Sequence, residues 1–212
     1  MGNKGGNKVY KLTNLDGADF YSGTINYADN IGKIIRIKDY DPPPAVCGRG
    51  LHASKNPNDC FVGARIPCRA FRVKGIQRIS GDSIKCRYQA LKVLDEIRDL
   101  DALFGWKYSE AINPIDPFSI PKVPITEKQI ILLKKWHSVR DSVWDSVRDS
   151  VGHSVWDSVW AYIGSLFPKP NVYLFQPAVD LWKQGLVPSY DGKIWRLHGG
   201  IRGEILYEDI NA

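Results

Sequence analysis

Two neighbouring stretches decide the fold: RAFRVKGIQRI at residues 69–79 and RYQALKVLDEIRDLDALF at residues 87–104. In the first, Phe71 and Val73 share one face while Arg72 and Lys74 take the other, the period-two pattern of a half-buried strand. In the second, Leu91, Leu94, Ile97, Leu100 and Phe104 recur at three and four, which predicts a helix with one apolar face that Gly105 can end. Strand is therefore expected to give way to helix before the middle of the chain.

Toward the N-terminus, residues 8–13 and 50–54 read as further strands and KIIRIK at 33–38 as a weakly alternating one. YDPPPA at 40–45 is held extended, since proline lacks the ladder N–H and restricts the residue before it. Toward the C-terminus, SEAINPIDPFSIPKVP at 109–124 is either a boundary or an ordered strap, because its prolines cannot donate to a central sheet. Thr126 then starts a helix: Gln129 is its capping-box partner, and Ile125 and Ile130 occupy the staple positions.

That helix runs into SVRD-SVWD-SVRD-SVGH-SVWD-SVWA, residues 138–161, with a relaxed seventh unit at 162–165. A period of four advances each stripe by about 40° per unit on a 3.6-residue helix, so the Val139–Val159 stripe, ending at Ile163, winds through about 240°. No single flat face buries it. The expectation is a break or bend at Gly152, or burial on several sides. A strand fails on pattern, since alternation leaves neither face apolar. Arg140, Trp144, Arg148, Gly152, Trp156 and Trp160 form an i,i+4 line, with Arg140 placed for a cation–π contact on Trp144; Asp141, Asp145 and Asp149 form an acidic one. Serines at every fourth position with Trp136, Trp144, Trp156 and Trp160 suit helix packing or self-association.

Beyond Pro168 and Pro170, residues 178–183 read as short helical turns, 188–192 (PSYDG) as a turn, and 193–197 and 204–207 as a hairpin able to close the sheet begun in the first half. The expected fold class is α+β, one domain over 1–212. A mixed or antiparallel sheet joins the N-terminal region to the C-terminal hairpin, with long central helices bent near Gly152. Within it lie a basic strand-rich half (1–105), the helical repeat (126–165) and the hairpin (171–212).

Composition agrees with a folded chain: of 212 residues, 43% are hydrophobic and 25% charged, which excludes disordered and collagen-like classes. Net charge is +6, with 17 Lys or Arg against 10 Asp or Glu in residues 1–100. The excess either serves solubility or meets a polyanion or phosphate-bearing partner in the first half. No apolar stretch is long enough to span a membrane, and the start MGNKGGNKVY carries no secretory signal, so a reducing cytoplasm is expected, that of a host cell if the chain is phage-encoded.

Cys47, His52, Cys60 and Cys68 lack the close CxxC pairing of zinc sites, so buried apolar cysteines and no metal are expected, Cys86 included. Walker, Rossmann, HExxH and GxSxG motifs are absent. The sharpest constellation is CGRGLHASK at 47–55. Its glycines can let backbone approach a ligand, Arg49 can grip a phosphate, and His52 begins the strand beyond; the plain alternative is a glycine turn between strands. In WRLHGG at 195–200, Arg196 and His198 share a strand face and would join Arg49 and His52 in a basic pocket if the hairpin closed the same sheet; alternatively both simply face water.

Residues 48–54, GRGLHAS, resemble the glycine-turn-and-strand segment of ADP-ribosyltransferases of the poly-ADP-ribose polymerase and diphtheria-toxin type. The resemblance implies NAD as cofactor, Arg49, Gly50 and Ser54 lining its site, His52 where an aromatic residue stacks on nicotinamide, and Glu204 or Glu208 as the acid. The early His-Gly-Thr of that family is missing at 10–13. The GLH segment, the SVWD-type repeats and the ending built from Leu181-Trp182, Gly185–Ser189, Asp191-Gly192 and 195–200 also resemble uncharacterised phage and prophage proteins, which implies a viral setting. Two functions are therefore expected. One is a small effector binding a nucleotide, nucleic acid or other phosphate ligand, with ADP-ribosyl transfer as its catalytic form. The other is a non-catalytic protein that assembles through the Trp/Val repeat.

Overall fold

The computed structural model describes residues 8–45, 47–144, 153–169 and 171–210, with the backbone alone for 140–144 and 153–155. The chain is α+β and divides into two compact units, Met1–Phe104 and Gly105–Ala212.

The first unit is built from β1 (Lys8–Thr13), β2 (Ile34–Arg36), β3 (Leu51–Ala53), β4 (Arg69–Gly81), β5 (Cys86–Ile97) and the short helix α1 (Leu100–Phe104). Every pairing is antiparallel, in the order β1-β4-β5-β2, with β3 also on β5. The end of β3 returns to β1: Tyr10 N donates to Ser54 O at 2.7 Å, and Ser54 N to Tyr10 O at 3.0 Å. The sheet thus closes on itself around Val9, Tyr27, Leu51, Phe71, Val73, Tyr88, Leu91 and Val93. Register shifts at Arg72/Val73 and Arg78/Ser80 supply the bends that closure needs.

Residues 87–97 are strand, not the expected helix; only Leu100–Phe104 is helical, and Gly105 follows it with φ of 73°. The apolar spacing misleads for a physical reason. Around Arg87–Leu91 both faces of β5 are covered, and the core-facing positions change parity between Tyr88 and Leu91, so period two is lost. Asp82 closes the β4–β5 hairpin, its Oδ1 accepting from Ile84 N at 2.8 Å and Lys85 N at 2.7 Å.

The second unit contains α2 (Tyr108–Ile112), a proline-rich strap, α3 (Glu127–Trp144), α4 (His153–Gly164), α5 (Gln176–Trp182) and a separate antiparallel sheet β6-β7-β8 (Leu186–Tyr190, Trp195–Gly199, Glu204–Asp209). The expected joining of the C-terminal strands to the first sheet does not occur. Ser54 already occupies the outer edge of β1 at Tyr10, and the hairpin gains its own third strand, β6, where a turn was expected. Pro188 is tolerated there because β6 is an edge strand, where a missing N–H interrupts no central ladder.

α3 starts at its expected cap, with Thr126 N donating to Gln129 Oε1 at 3.0 Å. The Thr126 hydroxyl also turns to that oxygen, so one arm of the capping box forms. Gly152, the expected bend, lies outside the described residues. The core of this unit gathers Leu133, Trp136, Tyr162, Leu166, Val179, Leu181, Leu186, Trp195 and Leu197.

Gly75 tests the β4–β5 pairing. A Cβ there would lie 2.2 Å from the Tyr88 ring, so Gly75→Ala is expected to cost about 1–3 kcal/mol in urea titration. A neutral or stabilising outcome would contradict the strand assignment of β5.

Candidate functional site

The glycine-rich segment before β3 is organised by Arg87 of β5, whose side chain is 0% exposed. Its Nε donates to Ser80 Oγ at 3.0 Å, Nη1 to the Arg49 carbonyl at 3.0 Å and Nη2 to the Pro42 carbonyl at 3.2 Å. A Cβ on Gly50 would stand 2.3 Å from Arg87 Cγ, and one on Gly48 2.8 Å from Arg87 Nη1. Both glycines are therefore required by a close approach, but what approaches is the protein's own Arg87 side chain, joined at Gly48 by the Asp41 carboxylate at 2.6 Å. Arg49 is held outside this layer. Its Nε and Nη2 donate to Asp41 Oδ1 at 3.0 and 2.9 Å, its N–H to Asp41 Oδ2 at 2.7 Å, and Nη1 to Asp39. The Arg49 backbone N–H, then its guanidinium, keeps the Asp41 carboxyl below the usual range.

His52 pairs in register with Arg87, and its Nε2 is buried with no hydrogen-bond partner among the described residues. Burial lowers its pKa from 6.5 to about 4, helped by the positive charges of Lys85, Lys11 and Arg87. Lys11 lies 5.4 Å from the Tyr27 ring centroid, and burial lowers its pKa too. Ser54 is buried at the β1 bridge, beside Cys60, whose Sγ is 3.3 Å from Tyr10 O and whose thiol pKa is raised by burial. The cysteines are all free thiols, but not all are buried as expected. Cys68 and Cys86 are buried and Cys60 half-buried, while Cys47 is exposed with Lys85 Nζ 3.2 Å from its sulfur.

The terminal residues lie on the other sheet. Arg196 donates to Asp191 Oδ2 at 2.5 Å and to Glu208 Oε1 at 2.7 Å, so two carboxylates answer one guanidinium. The backbone N–H of Ile194, the Arg196 side chain and the Lys193 N–H together bring Asp191 to a pKa of about 2. His198 has both ring nitrogens engaged. Nδ1 faces the Gly203 carbonyl at 3.1 Å and must donate, leaving Nε2 to accept from the Ser189 hydroxyl at 2.8 Å in the neutral ring. Glu204 pairs with Lys122. The expected grouping of Arg196 and His198 with Arg49 and His52 rested on a shared sheet, and the strands carrying them belong to two.

The four tryptophans divide sharply. Trp136 is 1% exposed and meets Phe175 edge-on at 6.0 Å, so it is core rather than an interaction surface. The Trp144 side chain lies outside the described residues. On α4, Trp156 is 60% and Trp160 65% exposed, followed by partly exposed Ile163 and Phe167. The opposite side buries Asp157, Ser158, Ala161, Tyr162, Ser165 and Leu166. Ser158, Ala161 and Tyr162 thus lie buried in the helix that meets α5 and β6, while Trp156 and Trp160 face out. The spacing 156, 160, 163, 167 marks this stripe in the sequence, but only packing tells which side is outward.

No family model, curated protein or solved structure matches the chain. Among the described residues, no helix is long and apolar enough to cross a membrane, and no group of three or more His, Cys, Asp or Glu side chains is placed to hold a metal.

Two outcomes follow for this layer. Gly50→Ala, which drives a methyl into Arg87, is expected to cost about 1–3 kcal/mol, and chemical denaturation measures it. Between about pH 6.5 and 5, the unfolded chain protonates His52 while the folded chain does not, so stability falls as pH falls through that window. His52→Leu should flatten that portion of the pH–stability curve, whereas an unchanged slope would assign the loss elsewhere.

Proposed function

We propose that this is a non-catalytic interaction protein that pairs with a second copy of itself through the outward face of α4. The reading rests on one observation: Trp156 and Trp160 stand in water while Ser158, Ala161 and Tyr162 occupy the buried side of the same helix. Large apolar side chains placed outward in a contiguous stripe mark an interaction surface rather than a scattered exposed residue. The stripe offers on the order of 500 Å² of mostly aromatic area, within the range of functional patches and below a standard half-interface, so association is reversible.

A second copy fits better than a charged partner. Trp156, Trp160, Ile163 and Phe167 carry no charge, and the one described acidic side chain of α4, Asp157, is buried. Two-fold pairing sets like against like, and an uncharged aromatic stripe meets itself without repulsion. Sedimentation across the micromolar range is expected to give a mass that rises toward the dimer. Trp156→Asp/Trp160→Asp should remain folded and monomeric at every concentration, since both side chains lie outside the core. A wild type monomeric at high micromolar concentration defeats the proposal.

A second reading, binding of a phosphate-bearing ligand such as NAD in the first unit, is favoured by the all-cationic setting of His52. Lys11, Lys85 and Arg87 act on it, and its Nε2 lacks a partner among the described residues. Glu204 and Glu208, the expected acids, are each held in an ion pair on β8 of the second unit. Titration with NAD and with ADP-ribose tests it: saturable binding lost in His52→Ala supports the site, and no binding by calorimetry removes it.

A further inference from the structure

A groove of about 530 Å³ lies between α3 and α5, lined by Lys128, Ile131, Leu132 and Lys135 on one side and Asp180, Lys183 and Gln184 on the other. The α3 wall reads Lys-x-x-Ile-Leu-x-x-Lys. These positions fall at i, i+3, i+4 and i+7, so both lysines and both apolar side chains share one helical face, with the lysines about 10 Å apart along the axis. Ile131 is exposed, as are all three lysines.

The charge of this groove is unbalanced. Lys128 and Lys135 have no acidic partner among the described residues, and only Lys183 is answered, by Glu110 Oε1 at 3.3 Å. The carboxylate of Asp180 accepts from Gln176 Nε2 at 2.7 Å. The groove is also pre-formed. Gln129 Nε2 donates to Gln184 Oε1 at 2.9 Å, and Gln184 Nε2 to the Asp180 carbonyl at 2.8 Å, a chain of hydrogen bonds that ties α3 to α5. A site already ordered before binding loses less entropy when occupied.

We propose that this groove docks an acidic amphipathic helix of a partner protein. Its complement is the pattern Glu-x-x-Leu-Leu-x-x-Glu: acids two turns apart meet Lys128 and Lys135, while the apolar pair between them covers Ile131 and Leu132. Helix-in-groove recognition uses this i, i+3, i+4, i+7 spacing. The charge mismatch selects the acidic partner, and the apolar floor selects a helix over a compact anion. The site is independent of the α4 face.

Fluorescence anisotropy on the full chain, with a labelled helical peptide of that pattern, tests the proposal. Saturable binding that weakens as salt rises is expected. Lys128→Glu/Lys135→Glu, at two exposed positions, should weaken it about tenfold while leaving circular dichroism unchanged. A peptide with lysines in place of its glutamates should prefer that variant over the wild type. Peptide binding that is absent, or indifferent to the variant, overturns the proposal. Binding of ATP or inorganic phosphate lost in the variant, with the acidic peptide silent, would overturn it in favour of a small anion. None of these outcomes depends on dimer formation, which sedimentation of the Trp156→Asp/Trp160→Asp protein reads separately.

Discussion

The second unit depends on which side of α4 can approach its neighbours. Ser158, Ala161 and Ser165, at i, i+3 and i+7, form a low ridge that lets α4 pack toward α5 and β6, with Tyr162 and Leu166 filling the space beside it. Tyr162 then stacks on Trp182 at 5.4 Å and its hydroxyl accepts from Ile115 N at 2.9 Å, which fixes the strap. A helix has one inward side, and once Ser158, Ala161 and Tyr162 take it, Trp156 and Trp160 face away. The outward aromatic stripe is the geometric consequence of that close approach.

The first unit is organised around a different constraint, the burial of the Arg87 guanidinium. A buried cation needs its donors satisfied. Here the acceptors are two backbone carbonyls and one hydroxyl, drawn from loop 39–50 and from the end of β4, and the carboxylate of Asp41 adds a favourable charge. That requirement sets the path of the loop, the need for Gly48 and Gly50, and the covered position of His52. What resembles a ligand-cradling glycine motif is, in its local chemistry, a cradle for an arginine of the same chain.

The legibility of the sequence follows the range of the interactions. β1, β4 and the cap of α3 are set by neighbours in the chain, such as the alternation of Phe71, Arg72, Val73 and Lys74 or the Thr126–Gln129 pair, and they form where local pattern places them. β5 is not legible as a strand because its burial on both sides around Arg87–Leu91 and the change of parity between Tyr88 and Leu91 remove the alternation, and its ladder partners β2, β3 and β4 lie far off or out of pattern in the chain. Arg87 gives no signal either, since two of its three partners are main-chain atoms about 40 residues away. The period-four repeat shows that no one face could bury its valines, yet the direction of Trp156 and Trp160 is decided by contacts with α5 and β6. The groove lysines stand at readable spacing on α3, but the opposing wall comes from residues some 50 positions later.

Pairing through α4 requires Trp156 and Trp160 to leave water when two copies meet. Hydroxyl-radical footprinting read by mass spectrometry, across a dilution series, addresses it residue by residue. Both side chains should label strongly in dilute protein and become selectively protected as concentration rises, with Trp136 and Trp195 protected throughout. Equal labelling of Trp156 and Trp160 at all concentrations, or their protection even in the most dilute sample, would contradict it.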